Sequence, residues 1–215
     1  MPKVGDMSTR LPGRLVRLLT GLVLFGVSVA LMVRADLGLA SWDVLHQGLA
    51  ERTGLPLGQV VNLVAVVVLL LWIPLRQRPG VGTLANAVVV GFTADAALAV
   101  LPPVTPVAGQ IGLLVAGILL NGFATALYLG ARLGPGPRDG LMTGLAARGL
   151  PIGRVRTAIE LGVLALGWAL GGTVGPGTLL FAVSIGPLAQ RLIPTFTVPA
   201  PRRPATTGAT PPCPA

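Results

Sequence analysis

Few side chains in this 215-residue sequence can do chemistry, and the most telling are carboxylates and amides in apolar company. Glu160 stands within VRTAIELGVLALGWALGG, and Asp95 within VVVGFTADAALAV. A charge near the centre of a bilayer costs at least about 2.5–3.5 kcal/mol on insertion scales, so such a group must be paired, protonated or turned to a cavity. Either acid could bind a solute or carry a proton. Each also has a structural reading. Arg156 precedes Glu160 by four residues, the spacing of a helical ion pair. Asp95 falls late enough in its segment to close a helix end. Asn62, Asn86 and Asn121 are uncharged polar residues in similar surroundings. They read as ligand contacts or as interhelical hydrogen bonds worth about 0.6 kcal/mol each.

Asp43, Asp139 and Arg138 form a second set of candidate binding residues, at short Gly-rich segments. The two aspartates suit ion ligands or gates, and alternatively stabilise helix starts. Arg138 suits an anion or a cytoplasmic anchor. His46, the single histidine, is expected at a wet interface, with pH sensing as the sharper reading. With one histidine and one cysteine, Cys213, neither a multi-histidine metal site nor an intrachain disulfide is available. The phosphate-loop, H-E-x-x-H and G-x-S-x-G patterns are absent from the sequence. No enzyme, no cofactor and no ATP-driven transport by this chain alone is expected.

The elements that carry these residues are written twice. LGLASWDVLHQGLAERTGLPLGQV, starting at Leu37, returns as LGPGPRDGLMTGLAARGLPIGRV, starting at Leu133. Leu37, Gly38, Asp43, Gly48 and Arg52 pair with Leu133, Gly134, Asp139, Gly144 and Arg148 at an offset of 96. One residue is then lost, and Gly58, Gly82, Thr83 and Gly91 pair with Gly153, Gly177, Thr178 and Gly186 at 95. Upstream, Gly21 and Gly26 pair with Gly117 and Gly122. Repeats dictate architecture, and here the unit is a half-chain. Glu160, Asp95 and His46 break the repeat, with Ala65 in the place of Glu160 and Met142 in that of His46.

The chain is 53% hydrophobic and 11% charged, with mean hydropathy +0.80. An ordinary soluble domain is about 25% charged. Six apolar segments stand out, 14–33, 57–75, 82–101, 110–130, 155–172 and 177–193. Each is close to the roughly 20 residues that a spanning helix needs. The net charge of +9 reads as positive-inside loops, not nucleic-acid binding. Fourteen of the sixteen basic residues fall on the side of both termini, and only Arg34 and Arg52 on the other. Both termini are therefore expected in the cytoplasm. Residues 1–13 and 196–215 read as disordered tails, 14–105 as the first membrane repeat and 106–195 as the second.

Three spans per half insert the second copy upside down. The fold class is thus all-α, a polytopic bundle of six transmembrane helices in a 3+3 inverted-topology repeat. Each half adds a short helix, at 41–52 and 137–148, either lying on the membrane surface or re-entrant. Ser41 or Asp43 is expected to cap the first, and Pro137 to start the second.

SWDVLHQGL, PGVGTLANAVVVG, GPGPRDGLMTGL, VRTAIELGVLALGWALGG and GPGTLLFAVSIGP resemble the bacterial YczE/YyaS/YitT family of integral membrane proteins, in its YczE-like branch, over residues 15–193. The resemblance implies a polytopic bacterial membrane protein and supplies no catalytic residues. The expected function is a bacterial inner-membrane secondary transporter or permease for a small solute, proton- or ion-coupled, alternating between inverted repeats. The alternative is a non-transporting scaffold or accessory subunit. The expected partners are the lipid bilayer and that solute, with a homodimer left open.

Overall fold

The computed structural model describes residues 11–198, and all its regular elements are helices. In chain order they are α1 (Leu11–Ala35), α2 (Ser41–Thr53), α3 (Leu57–Leu75), α4 (Val81–Val100), α5 (Val107–Gly130), α6 (Pro137–Ala146), α7 (Ile152–Ala169) and α8 (Pro176–Phe196). Proline sets many of the starts. Pro56, Pro106 and Pro151 precede α3, α5 and α7, and Pro137 and Pro176 occupy the first turns of α6 and α8. Those positions need no backbone N–H and suit the fixed φ of the ring. The start of α2 differs from expectation. Ala40 is its N-cap, with no side-chain cap bond, because the Asp43 carboxylate is engaged elsewhere. Residues 11–13 and Phe196 are helical, so the helices extend into the expected tails. The remainder of both tails lies outside the described residues, apart from Thr197 and Val198.

Five helices, α1, α3, α4, α5 and α8, are long and apolar enough to cross a membrane. The remaining long helix, α7, has 18 residues and carries Arg154, Arg156 and Glu160, which put it outside that group. Leu63, Leu70, Phe92, Leu119 and Val183 are exposed around the bundle. An apolar surface that extensive suits lipid and not water.

The packing is reciprocal between the two copies. Helices α1 and α5 form the central contact. A Cβ on Gly21 would press on Tyr128 and Ala124, and one on Gly117 would press on Met32 and Ser28, the repeat counterparts of those residues. Leu18, Leu22, Tyr128 and Ala131 share one core cluster, and their counterparts Leu114, Ile118, Met32 and Ala35 share another. The Gly82 N–H donates to the Leu133 carbonyl at 2.8 Å, as the Gly177 N–H does to Leu37, also at 2.8 Å.

The short helices are held by the opposite half. Helix α2 packs on α7, and α6 packs on α3. Before each, the chain turns through a glycine with positive φ, Gly38 at 110° and Gly134 at 127°. L side chains rarely adopt that backbone. Side-chain size is exchanged across this contact. Gly140 of α6 receives the Trp72 indole, whereas in the counterpart contact Gly167 of α7 lies against Val44 and Leu45 of α2. Trp72 Nε1 donates to the Pro137 carbonyl at 3.0 Å, pinning the first turn of α6.

Candidate functional site

Residues 42–46 are all buried, which is more than one full turn of α2. No face of that turn remains to lie on a membrane surface. The starts of α2 and α6 instead meet inside the bundle. Arg138 Nη2 lies 3.4 Å from Asp43 Oδ1, and its guanidinium sits 5.2 Å from the centroid of the Trp42 ring. Trp42 and Arg138 are repeat counterparts, and they meet each other there.

Around that point lies a cavity of about 640 Å³, within the usual range of about 300–1,000 Å³ for small-molecule sites. Asp43, Asp139, Arg138, Glu160, Asn86 and Asn121 all line it. Six of the eight candidate residues, scattered over more than a hundred positions, thus converge. Phe25, Val61, Val68, Val90 and Ile185 supply apolar wall.

The polar groups are unequally satisfied. Asp43 is 2% exposed and accepts from His46 Nδ1 at 3.2 Å as well as from Arg138. His46 is therefore buried, 1% exposed, and not at a wet interface, because the carboxylate one turn earlier holds it inside. Asp139, the counterpart of Asp43, accepts from the Tyr128 hydroxyl at 3.1 Å. Glu160 pairs with Arg156 Nε at 2.9 Å, the helical ion pair its spacing indicates. Asn121 donates to Ser28 Oγ at 2.9 Å, bridging α1 and α5.

Asp95 and Asn62 are elsewhere. Both belong to the α3–α4 contact, and neither lines the cavity. The Gly58 N–H, in the first turn of α3, donates to Asp95 Oδ1 at 2.6 Å. Asp95 closes a helix start from a neighbouring helix, a charge-assisted bond at the positive end of the α3 dipole. Asp95→Asn should lower stability by about 1–2 kcal/mol in a detergent-unfolding titration. It should leave binding in the cavity untouched.

Two contributors escape a reading of the sequence. Tyr128 shows no motif, and its counterpart Met32 offers no chemistry to pair with it. Trp42 is legible only as an apolar helix position. Writing the copies one above the other puts Trp42 over Arg138, a cation–π pair if the two touch.

Comparison with known proteins agrees with the membrane reading. Residues 12–194 match the model of a family of unknown function, DUF6198. The chain belongs to that family. It is 44% identical to an uncharacterised Haemophilus influenzae protein over 174 residues, 80% of each chain. It is 34% identical to the uncharacterised membrane protein YczE of Bacillus subtilis over 177 residues, 81% of this chain and 80% of that one. The B. subtilis protein YyaS is 28% identical over 181 residues, 81% of this chain and 89% of that one. The YczE-like resemblance is thereby borne out. No solved structure matches the chain.

Proposed function

We propose that the chain is a secondary transporter of a small solute, working by alternating access between two inverted halves. One observation carries this reading. Helix α3 packs closely on α4, while their repeat counterparts α7 and α8 stand apart. A Cβ on Gly58 would overlap the Gly91 carbonyl, and one on Gly91 would overlap Asn62. The counterparts Gly153 and Gly186 have nothing within 4 Å of that position. Equivalent sequence thus adopts a closed contact in one copy and an open one in the other. In an inverted repeat that difference is an opening on one side only. Exchanging the two arrangements would close the present opening and open the opposite one, around a cavity on the pseudo-two-fold axis.

With both termini in the cytoplasm, α7 begins on the cytoplasmic side, so this is the inward-open state. The coupling ion and the direction of transport follow from the gradient that drives the exchange. Glu160, with its side chain 35% exposed at the open flank, is placed to meet solvent during it.

The test is accessibility. In a chain carrying Cys213→Ser, single cysteines at Ala189 and Ala94, which are repeat counterparts, are challenged in oriented vesicles with a membrane-impermeant maleimide. Ala189 lines the cavity, and Ala94 is 0% exposed. Ala189→Cys should label from the cytoplasmic side. Ala94→Cys should label more slowly, and from outside only. If Ala94→Cys resists reagent from both sides, the protein has one state, and a non-transporting membrane scaffold is the better account.

A further inference from the structure

The two repeated aspartates begin equivalent helices yet have unequal partners. Asp43 has a cation from the opposite copy, Arg138, and a histidine one turn along its own helix, His46. At Asp139 the counterpart positions hold Trp42 and Met142. Neither can carry a positive charge. Among the described residues no arginine, lysine or histidine is in ion-pair contact with Asp139, and its hydrogen-bond partner is the Tyr128 hydroxyl.

The charges around the cavity make the same point. Arg138 is taken up by Asp43, and Arg156 by Glu160. Each short helix contributes roughly half a positive charge at its start, and each already has an aspartate in its first turn. The two arginines are thus engaged by two of the three acids, and the third, Asp139, is left with only the half-charge of its own helix start, at a wall shared with Phe25 and Tyr128. A partly exposed carboxylate that lines a cavity with no cationic side chain in contact leaves room for a cation from outside the chain. We propose that Asp139 binds the charged group of a small organic cation, an amine whose apolar body lies along the aromatic and aliphatic wall. Phe25 and Tyr128 meet edge to face with centroids 6.1 Å apart. Such aromatic surface suits an ammonium group. The size of the cavity and its apolar lining favour an organic cation over a bare alkali ion.

This inference deepens the transport reading but is tested without it, because equilibrium binding to purified protein needs no exchange of states. Three probes are compared by calorimetry and thermal melting at constant ionic strength: phenethylamine, 3-phenylpropionate of similar shape and opposite charge, and sodium chloride alone. Phenethylamine should bind saturably and raise the melting temperature, and the other two should not. Asp139→Asn, nearly isosteric, should weaken phenethylamine binding at least about tenfold, the loss expected for one charge-assisted contact. Asp139→Glu, which keeps the charge, should retain it. Equal binding by the Asn variant, preference for phenylpropionate, protection by sodium alone, or no binding of the amine would each overturn the proposal. Failure here with opposite-side labelling of Ala189 and Ala94 intact would reject the cation and keep the transporter. The reverse outcome would keep the site and reject the alternation.

Discussion

Gly186→Ala should leave the protein as stable as the parent while abolishing outside labelling of a cysteine at Ala94. The added methyl group enters open space in the present state, since nothing lies within 4 Å of it. It becomes an obstacle only when α7 and α8 approach as α3 and α4 do now. The mirror substitutions act in the opposite sense. Gly91→Ala or Gly58→Ala places a methyl group against backbone or Asn62, where neighbours can yield little. Overpacking of that kind costs about 1–3 kcal/mol. In a protein with two exchangeable arrangements this cost falls on one of them. Gly58→Ala should therefore shift the population toward the outward-open state, raising labelling at Ala94 and lowering it at Ala189. A shift of about 1.4 kcal/mol is a tenfold change in the ratio of states, well within the reach of labelling rates. If Gly186→Ala leaves outside labelling at Ala94 unchanged, closure does not run through the α7–α8 contact.

Arg138→Ala should be the most destabilising single substitution at the cavity. Asp43 is almost fully enclosed, and Arg138 supplies the guanidinium that pairs with it. Removing one member of a buried pair leaves an uncompensated charge and typically costs about 3–5 kcal/mol. His46 and the start of α2 remain, so the lower end of that range applies. Loss of the guanidinium also removes its stacking on Trp42, about 0.5–2 kcal/mol. The check is a double-mutant cycle in detergent unfolding. Arg138→Ala should be severe in the parent and much milder in an Asp43→Asn background, because the buried charge is then gone. Purely additive losses would mean that the 3.4 Å approach contributes no pairing energy.

Much of this architecture is written in the chain, for identifiable reasons. Proline and glycine punctuate it, so the six long helices begin and end close to the apolar segments read from sequence. Glu160, Asn86 and Asn121 reach the cavity because polar groups within apolar helices must face something other than lipid, and Asp43, Arg138 and Asp139 reach it because the short helices that carry them start inside the bundle. The duplication carries more information than its length alone. Offset arithmetic pairs Trp42 with Arg138, Gly140 with Val44 and Trp72 with Gly167; in the structure Trp42 meets Arg138, and the Gly140–Trp72 contact has its counterpart in the contact of Val44 with Gly167.

What the sequence hides depends on tertiary state. The contact glycines Gly58 and Gly91 recur as Gly153 and Gly186, so they do not say which pair is closed. A signal does exist at one position: Asp95, which holds the closed contact to Gly58, is Gln190 in the open copy. His46 reads as exposed because it is an isolated polar residue on a short helix. Its burial follows from Asp43, three residues before it, and from the opposite half-chain covering both. Surface and re-entrant readings of α2 are likewise inseparable by composition, and enclosure of residues 42–46 separates them.

The claim on which the rest stands is that the two copies enter the membrane from opposite sides. Leu55 and Leu150 are repeat counterparts in the turns after the short helices, both exposed, at 39% and 55%. Single cysteines there, in the Cys213→Ser chain and in sealed, oriented vesicles, read the topology directly. Leu55→Cys should react with impermeant reagent only from outside, and Leu150→Cys only from the cytoplasmic side. Labelling of both from the same side would contradict the inversion, and with it the exchange of open and closed contacts.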